Sequence, residues 1–325
     1  MAGQWVPDVL GDEFEQLTLP LGIDDEGEVV ATLVRALPRR RWIRRRALEG
    51  IDVLYIHGWS DYFFQKRLAR TFTSRGARFY ALDLRKYGRS LREGQTPGYI
   101  ADLATYDEDI AAALAAMGPG RRLLLMGHST GGLTLSLWAH RNPGVASAVI
   151  LNSPWLEFQL PRTSRDAIMP LVEMRARRKP MTQIPQVDFG FYARAQAETV
   201  DPLDPVQPNL AWRPEHSMPV HAGWLGAILR GHDLVEDGLA IETPVLVMLS
   251  ARSAMPLRWN NELTRADSVL AVDDIARASL KLGSLVTIAR IDGALHDIFL
   301  SHHDAREQAY GVLGDWLDGT VRALR

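Results

Sequence analysis

The chain has 325 residues, 46% of them hydrophobic and 23% charged, with no cysteine and a formal net charge of −2. The length suits one large α/β domain carrying an insertion or two ordinary domains, and the composition a globular chain that buries a sizeable core. It excludes disulfides, thiolate chemistry and a global field recruiting nucleic acid or an anionic surface.

Residues 1–20 carry little pattern and are expected to lie over the surface; they lack the basic start and apolar core of a secretory leader. No run approaches the roughly 20 apolar residues of a membrane span, so a cytoplasmic protein with no integral membrane segment is expected. Glu28 to Leu37 reads as an early strand, antiparallel at the sheet edge. The basic segment Arg39, Arg40, Arg41, Arg44, Arg45 and Arg46 around Trp42 reads as a solvated loop. Asp52 to Ile56 reads as a buried strand ending in His57, Gly58 and Trp59. Phe64, Leu68 and Phe72 recur at helical spacing, predicting a helix from about Ser60 or Asp61 to Gly76. Phe79 to Leu84 reads as the next strand, and Leu103, Tyr106, Ile110, Leu114 and Met117 trace a helix closed by Gly118.

The chain is organised around Arg121 to Pro143. Leu123 to Met126 is an unbroken apolar run, as in a parallel strand buried on both faces. Gly127, His128, Ser129, Thr130, Gly131 and Gly132 follow, and Leu133, Leu137 and Trp138 then fall at helical spacing. Strand, tight turn and helix lift a serine above the carboxyl edge of a sheet, with the Thr130 amide at a helix N-terminus where developing negative charge is favoured. These are the requirements for an acyl-transfer nucleophile, and the flanking strand and helix separate this G-x-S-x-G from a chance match.

Val145 to Leu151 reads as the strand after that helix. From Ser153 to about Gly231 prolines forbid long regular elements, and only Ala167 to Arg178 and Val220 to Arg230 look helical. Trp155, Phe158, Phe189, Phe191, Tyr192, Trp212 and Trp224 make this insertion aromatic. It reads as a cap over the sheet edge, giving a core of residues 1–152 and 236–325 with a cap of 153–235. Alternation resumes with a strand from Thr243 to Ser250, a helix from Val272 to Leu282 capped by Asp273 or Asp274, a last strand from Leu285 to Ile291 and a closing helix from Asp304 to Leu317.

A serine nucleophile needs a base, and the base needs an orienting carboxylate. Catalytic groups in such sheets collect at the carboxyl ends of the strands, which selects His296, five residues past the final strand. His57 and His128 lie in turns with packing roles, and His302 and His303 are weaker candidates. The acid is expected just after Ser250, yet Ala251, Arg252 and Ser253 offer none. Asp267 is therefore the assignment, with Glu157 as fallback. The oxyanion needs two converging backbone donors, for which the N–H groups of Trp59 and Thr130 are assigned.

With these residues in place, the chain resembles the α/β-hydrolase superfamily and, within it, the monoacylglycerol lipase, lysophospholipase and serine aminopeptidase group. The resemblance rests on His57-Gly58-Trp59, Asp83-Leu84-Arg85-Lys86-Tyr87-Gly88-Arg89-Ser90, Gly127 to Gly132, and Gly293 to Asp297. It implies a mostly parallel sheet with helices on both faces and an inserted cap, a serine esterase mechanism through an acyl-enzyme, and no cofactor or metal. The expected partner is a small-molecule ester or lipid-like substrate, not nucleic acid. Peptidase and thioesterase activity use the same residues, and a binding protein that keeps the fold without chemistry is the rival from another class. Serine at 129 argues against a haloalkane dehalogenase or epoxide hydrolase, which place aspartate there.

Overall fold

The computed structural model describes residues 3–39, 46–158, 170, 172–202 and 204–323. Among them, nine strands form one sheet: β1 (Val6–Pro7), β2 (Phe14–Asp24), β3 (Gly27–Ala36), β4 (Ile51–Ile56), β5 (Arg78–Asp83), β6 (Arg122–His128), β7 (Ala146–Asn152), β8 (Val245–Ser250) and β9 (Val286–Ile291). Their order is β1-β2-β3-β5-β4-β6-β7-β8-β9. Neighbours from β5 onward are parallel, whereas β1, β2 and β3 join one another and β5 antiparallel. The helices are α1 (Lys66–Ser74), α2 (Tyr106–Met117), α3 (Thr130–Arg141), α4 (residues 172–178), α5 (Phe191–Glu198), α6 (Ala222–Asp237), α7 (Val272–Ser279) and α8 (His303–Ala323).

The two-residue period of the strands sorts the core into two layers. Val53, Tyr55, Leu124, Met126 and Met248 pack with Leu68 and Phe72 of α1 and Leu313 of α8. Leu54, Ile56, Leu125, Leu151 and Val247 pack on the other face with α2, α3, α6 and α7 through Ile110, Leu133, Ile228 and Ile275. Covered on both faces, the central strands are apolar throughout rather than alternating.

The turn from Asp83 to Ser90 fixes the loop that leads into α1. Asp83 accepts the amides of Phe63 (3.0 Å) and Arg89 (3.1 Å), and Ser90 Oγ donates to the Asp83 carbonyl (2.7 Å). The Arg89 guanidinium bridges Asp83 (2.8 Å) and Asp8 (2.7 Å), all three side chains being buried. At Gly88, with φ 47°, a Cβ would lie 2.6 Å from Asp83 Oδ2. This motif therefore holds a loop in place.

Several elements depart from the sequence expectations. Residues 6–24 are not a surface excursion but two strands, with Phe14, Leu17 and Leu19 buried. β2 covers β3, which is consequently interior to the antiparallel part and not at the edge. Helix α1 begins at Lys66, not near Ser60 or Asp61. Ser60 is left-handed (φ 54°), Asp61 pairs with Arg213, and the Phe63 amide is held by Asp83, so the chain cannot coil sooner. Asp273 and Asp274 do not cap α7: Ser253 Oγ accepts the Val272 amide at 2.8 Å, while the two carboxylates pair with Arg290 and Arg277. Helix α5 lies where no helix is expected, and α6 continues past Arg230 to Asp237. Residues 172–178 are helical, whereas the start of the helix expected from Ala167 lies outside the described residues. Of the basic segment, Arg39 pairs with Glu13 and Arg46 donates to the Thr73 carbonyl, while residues 40–45 lie outside the described residues.

Candidate active site

β6 runs directly into α3, and Ser129 is the single residue between them, with φ 53° and ψ −119°. A non-glycine residue holds that conformation only when its surroundings over-determine it. Here the Ser129 amide donates to the Asn152 carbonyl (3.0 Å), and its own carbonyl accepts the amides of Gly132 (2.9 Å) and Trp155 (3.0 Å). The glycines are needed for close approach. A Cβ on Gly127 would lie 2.6 Å from the Gly131 carbonyl, and one on Gly131 would lie 2.3 Å from that of His57. On Gly132 it would lie 2.7 Å from Pro154 Cβ.

The His57-Gly58-Trp59 stretch packs against the same serine. A Cβ on Gly58 would lie 2.9 Å from Ser129 Cβ, which brings the following residue, Trp59, beside the elbow. His57 Nε2 accepts the Leu84 amide (3.1 Å), so its Nδ1 carries the proton, directed to the Gly58 carbonyl at 2.8 Å. His57 thus orders the turn. Neither the Trp59 nor the Thr130 amide has an acceptor among the described residues.

His296 and Asp267 meet beside this turn. His296 Nδ1 lies 2.9 Å from Asp267 Oδ2, with the two side chains 3% and 0% exposed. The other carboxylate oxygen, Oδ1, accepts the amides of Val269 (2.7 Å) and Leu270 (2.8 Å). Asp267 reaches this place by a return of the chain. Ser253 and Asp267 form a parallel bridge, with Asp267 N–H on the Arg252 carbonyl (3.0 Å) and Ala254 N–H on the Asp267 carbonyl (2.8 Å). The carboxylate therefore stands where the segment just after β8 would have placed one. Glu157 is not the partner of His296 Nδ1.

The next residue, Asp297, enters the sequence reading only as the end of the Gly293 to Asp297 motif, yet it is buried, 1% exposed. It accepts Asn152 Nδ2 (2.8 Å), Gln65 Nε2 (2.9 Å) and the Phe299 amide (3.0 Å), tying the loop after β9 to the ends of β7 and of the α1 loop. His128, buried against His296 with ring centroids 5.0 Å apart, directs Nδ1 to the Asn152 carbonyl at 3.1 Å. Burial pushes its imidazole below the ordinary histidine value, with Asp297 pulling the other way.

Ser129 and His296 line one cavity of about 490 Å³. Trp59, Trp155, Phe189, Phe191, Tyr192 and Trp224 form its aromatic wall, with Trp59 and Trp224 rings 3.9 Å apart. Its lining also carries the ion pair of Arg213 and Asp61 at 2.8 Å, together with Asp188 and Glu215. A larger cavity of about 760 Å³ on the far side of α5 touches none of Ser129, Asp267 and His296. Size does not decide between them, since chemistry needs the titratable groups.

A doubly covered, mostly parallel sheet with a serine on a strand-to-helix elbow and a histidine after the last strand defines an α/β hydrolase. The chain belongs to the serine aminopeptidase S33 family, whose model matches residues 51–254. The probable esterase PIR7A of Oryza sativa subsp. indica is 35% identical over 108 residues, 31% of this chain and 38% of that protein. A monoacylglycerol lipase of Mycolicibacterium smegmatis is 31% identical over 109 residues, 32% and 38% of the two chains. The chain thus matches well under half the length of these relatives. Among solved structures, the monoacylglycerol lipase of Paleococcus ferrophilus has a TM-score of 0.62 at 18% identity, covering 89% of this chain and 99% of that one. A soluble variant of the monoglyceride lipase of Saccharomyces cerevisiae has 0.65 at 14%, covering 98% and 96%. These likenesses are of fold. Among the described residues no helix is long and apolar enough to cross a membrane.

Proposed function

We propose that this chain hydrolyses carboxylic esters through a serine acyl-enzyme, with Ser129 as nucleophile, His296 as base and Asp267 as the acid that orients it. The observation carrying this reading is the buried 2.9 Å contact of His296 Nδ1 with Asp267, beside a cavity that His296 shares with the strained Ser129. The carboxylate holds the imidazole in the tautomer whose Nε2 is free to accept a proton. His296 takes the hydroxyl proton as Ser129 Oγ attacks the carbonyl, and the amides of Trp59 and Thr130 hold the oxyanion. His296 then protonates the leaving alcohol, and water repeats the sequence to release the acid.

Residues 153–235 act in this reading as the cap, supplying Trp155, Phe189, Phe191, Tyr192 and Trp224 to the cavity wall. This largely aromatic wall favours an ester of a greasy acid with a small polar alcohol, in keeping with the esterase and lipase names of the relatives. For an aminopeptidase, a carboxylate must be free to hold an α-amine. Of the three that line the cavity, Asp61 is neutralised by Arg213 and Asp188 is taken up by the amides of Gly190 and Ser217, which leaves Glu215.

The test is hydrolysis of p-nitrophenyl esters of graded chain length, alongside aminoacyl p-nitroanilides, with intact mass after a fluorophosphonate probe. Ester turnover and labelling, both lost in Ser129→Ala, bear the proposal out. Turnover of the anilides alone turns it to a peptidase, and a folded chain that neither turns over nor labels leaves a binding protein.

A further inference from the structure

Helix α5 touches the base and the loop that carries the acid, by different side chains. Toward the base, the Tyr192 ring stands edge-on to His296 with centroids 5.6 Å apart, and its Oη accepts the Asp297 amide at 3.0 Å. One turn on, Gln196 Nε2 donates to the same oxygen at 2.8 Å, fixing the phenol. Toward the acid, the loop leaving the sheet after Ala254 carries Trp259. Its indole packs against Phe191 at 5.9 Å and lies under the Arg194 guanidinium at 3.9 Å. That loop returns through Leu263, which is fully buried, to Asp267.

We propose that α5 is a positioning element that holds His296 and Asp267 in register, with Tyr192 the positioning residue on the base side and Trp259 its counterpart on the acid side. The Ser253–Asp267 bridge fixes the stem of the acid loop, and Trp259 ties its far part to α5. The peptide joining His296 to Asp297 is fixed on its Asp297 side by Asn152 and Gln65, and on its amide by Tyr192. An eight-residue helix reaching both supports through adjacent residues leaves one rigid body between them. A displacement on the order of 1 Å there is enough to cost up to about a hundredfold in rate.

The kinetic part of this proposal rests on the ester-hydrolysis reading, and the experiment keeps the two separable. Tyr192→Phe, which removes only the hydroxyl, Trp259→Leu and the double variant are made in the full chain. They are read by kcat and KM on p-nitrophenyl butyrate, by thermal midpoint, and by the downfield proton resonance of the His296 Nδ1–H. Each single variant is expected to lower kcat about tenfold with KM within about twofold, and to speed exchange of that proton with water. The double variant is expected to lose less than the product of the singles, because both act on one hydrogen bond. Wild-type kcat and resonance in both single variants would overturn the proposal, as would a loss that disappears once the assay temperature is well below the variants' midpoints. If the wild type turns over no ester, the resonance alone decides. Faster exchange in the variants supports the positioning role, and unchanged exchange overturns it.

Discussion

Ser253 and Asp267 pair as parallel neighbours at the carboxyl edge of the sheet, and through that pairing a carboxylate far along the chain comes to lie 2.9 Å from His296. Asp267 is held on three sides, by His296 on one oxygen and by two amides on the other, so its orientation does not depend on the imidazole.

Asp267→Asn is predicted to fold and to lose activity. The amide oxygen can still accept from Val269 and Leu270, but the NH₂ group then faces His296 Nδ1 and selects the wrong tautomer, with an expected loss in kcat of about 10,000-fold. Steady-state kinetics and a thermal melt on the same sample check both halves.

Ser129→Ala is predicted to abolish fluorophosphonate labelling and to lower kcat by about 10,000-fold or more. Alanine keeps the unfavourable φ of 53°, whereas glycine relieves it. Ser129→Gly should therefore be more stable than Ser129→Ala by about 1 kcal/mol, measured by urea unfolding.

The glycines of the two turns should separate into two classes. Gly131→Ala drives a methyl to 2.3 Å from a backbone carbonyl that has no room to move, and is predicted to cost about 2–3 kcal/mol in stability. Gly58→Ala instead presses on Ser129 Cβ at 2.9 Å. Its signature should be slowed labelling by the probe out of proportion to any fall in thermal midpoint.

His128 sets a pH dependence. Its native value is depressed by burial, so below the ordinary histidine range the unfolded chain binds a proton that the native chain resists. Stability is fully present above about pH 6.5 and is lost as pH falls from there toward the depressed native value, by up to about 1.4 kcal/mol per pH unit. Between about pH 7.5 and about pH 5.5 the urea midpoint of the wild type should fall further than that of His128→Gln.

The central sheet was legible because each parallel strand is a short apolar run ending in a polar or glycine turn, as in Asp52 to His57 and Leu123 to Gly127. Strand β2 was hidden because only one face of it is buried, and Pro20 and Gly22 break its alternation where the register shifts. The start of α1 was misplaced because the periodicity of Phe64, Leu68 and Phe72 continues upstream of the helix. What delays the helix is a set of long-range contacts to Asp83 and Arg213. Helix α5 is too short to show a period, and Tyr192, Trp259 and Asp297 matter through partners distant in sequence. The nearest signal was that Asp297 adjoins His296.

The side-chain bonds from Asp297 to Gln65 and Asn152 close chain separations of 232 and 145 residues. A chain emerging from the ribosome can pair β4, β5, β6 and β7 and form the elbow long before residue 297 exists. Until it does, Gln65 and Asn152 lack this acceptor, and Ser129 stands without His296. The proposed centre is thus assembled late in the chain's emergence, and contacts of such long range are slow to form. A chain that ends before His296 would carry the elbow without the base assigned to it, so the proposed reactivity arises only once both ends of these bonds exist.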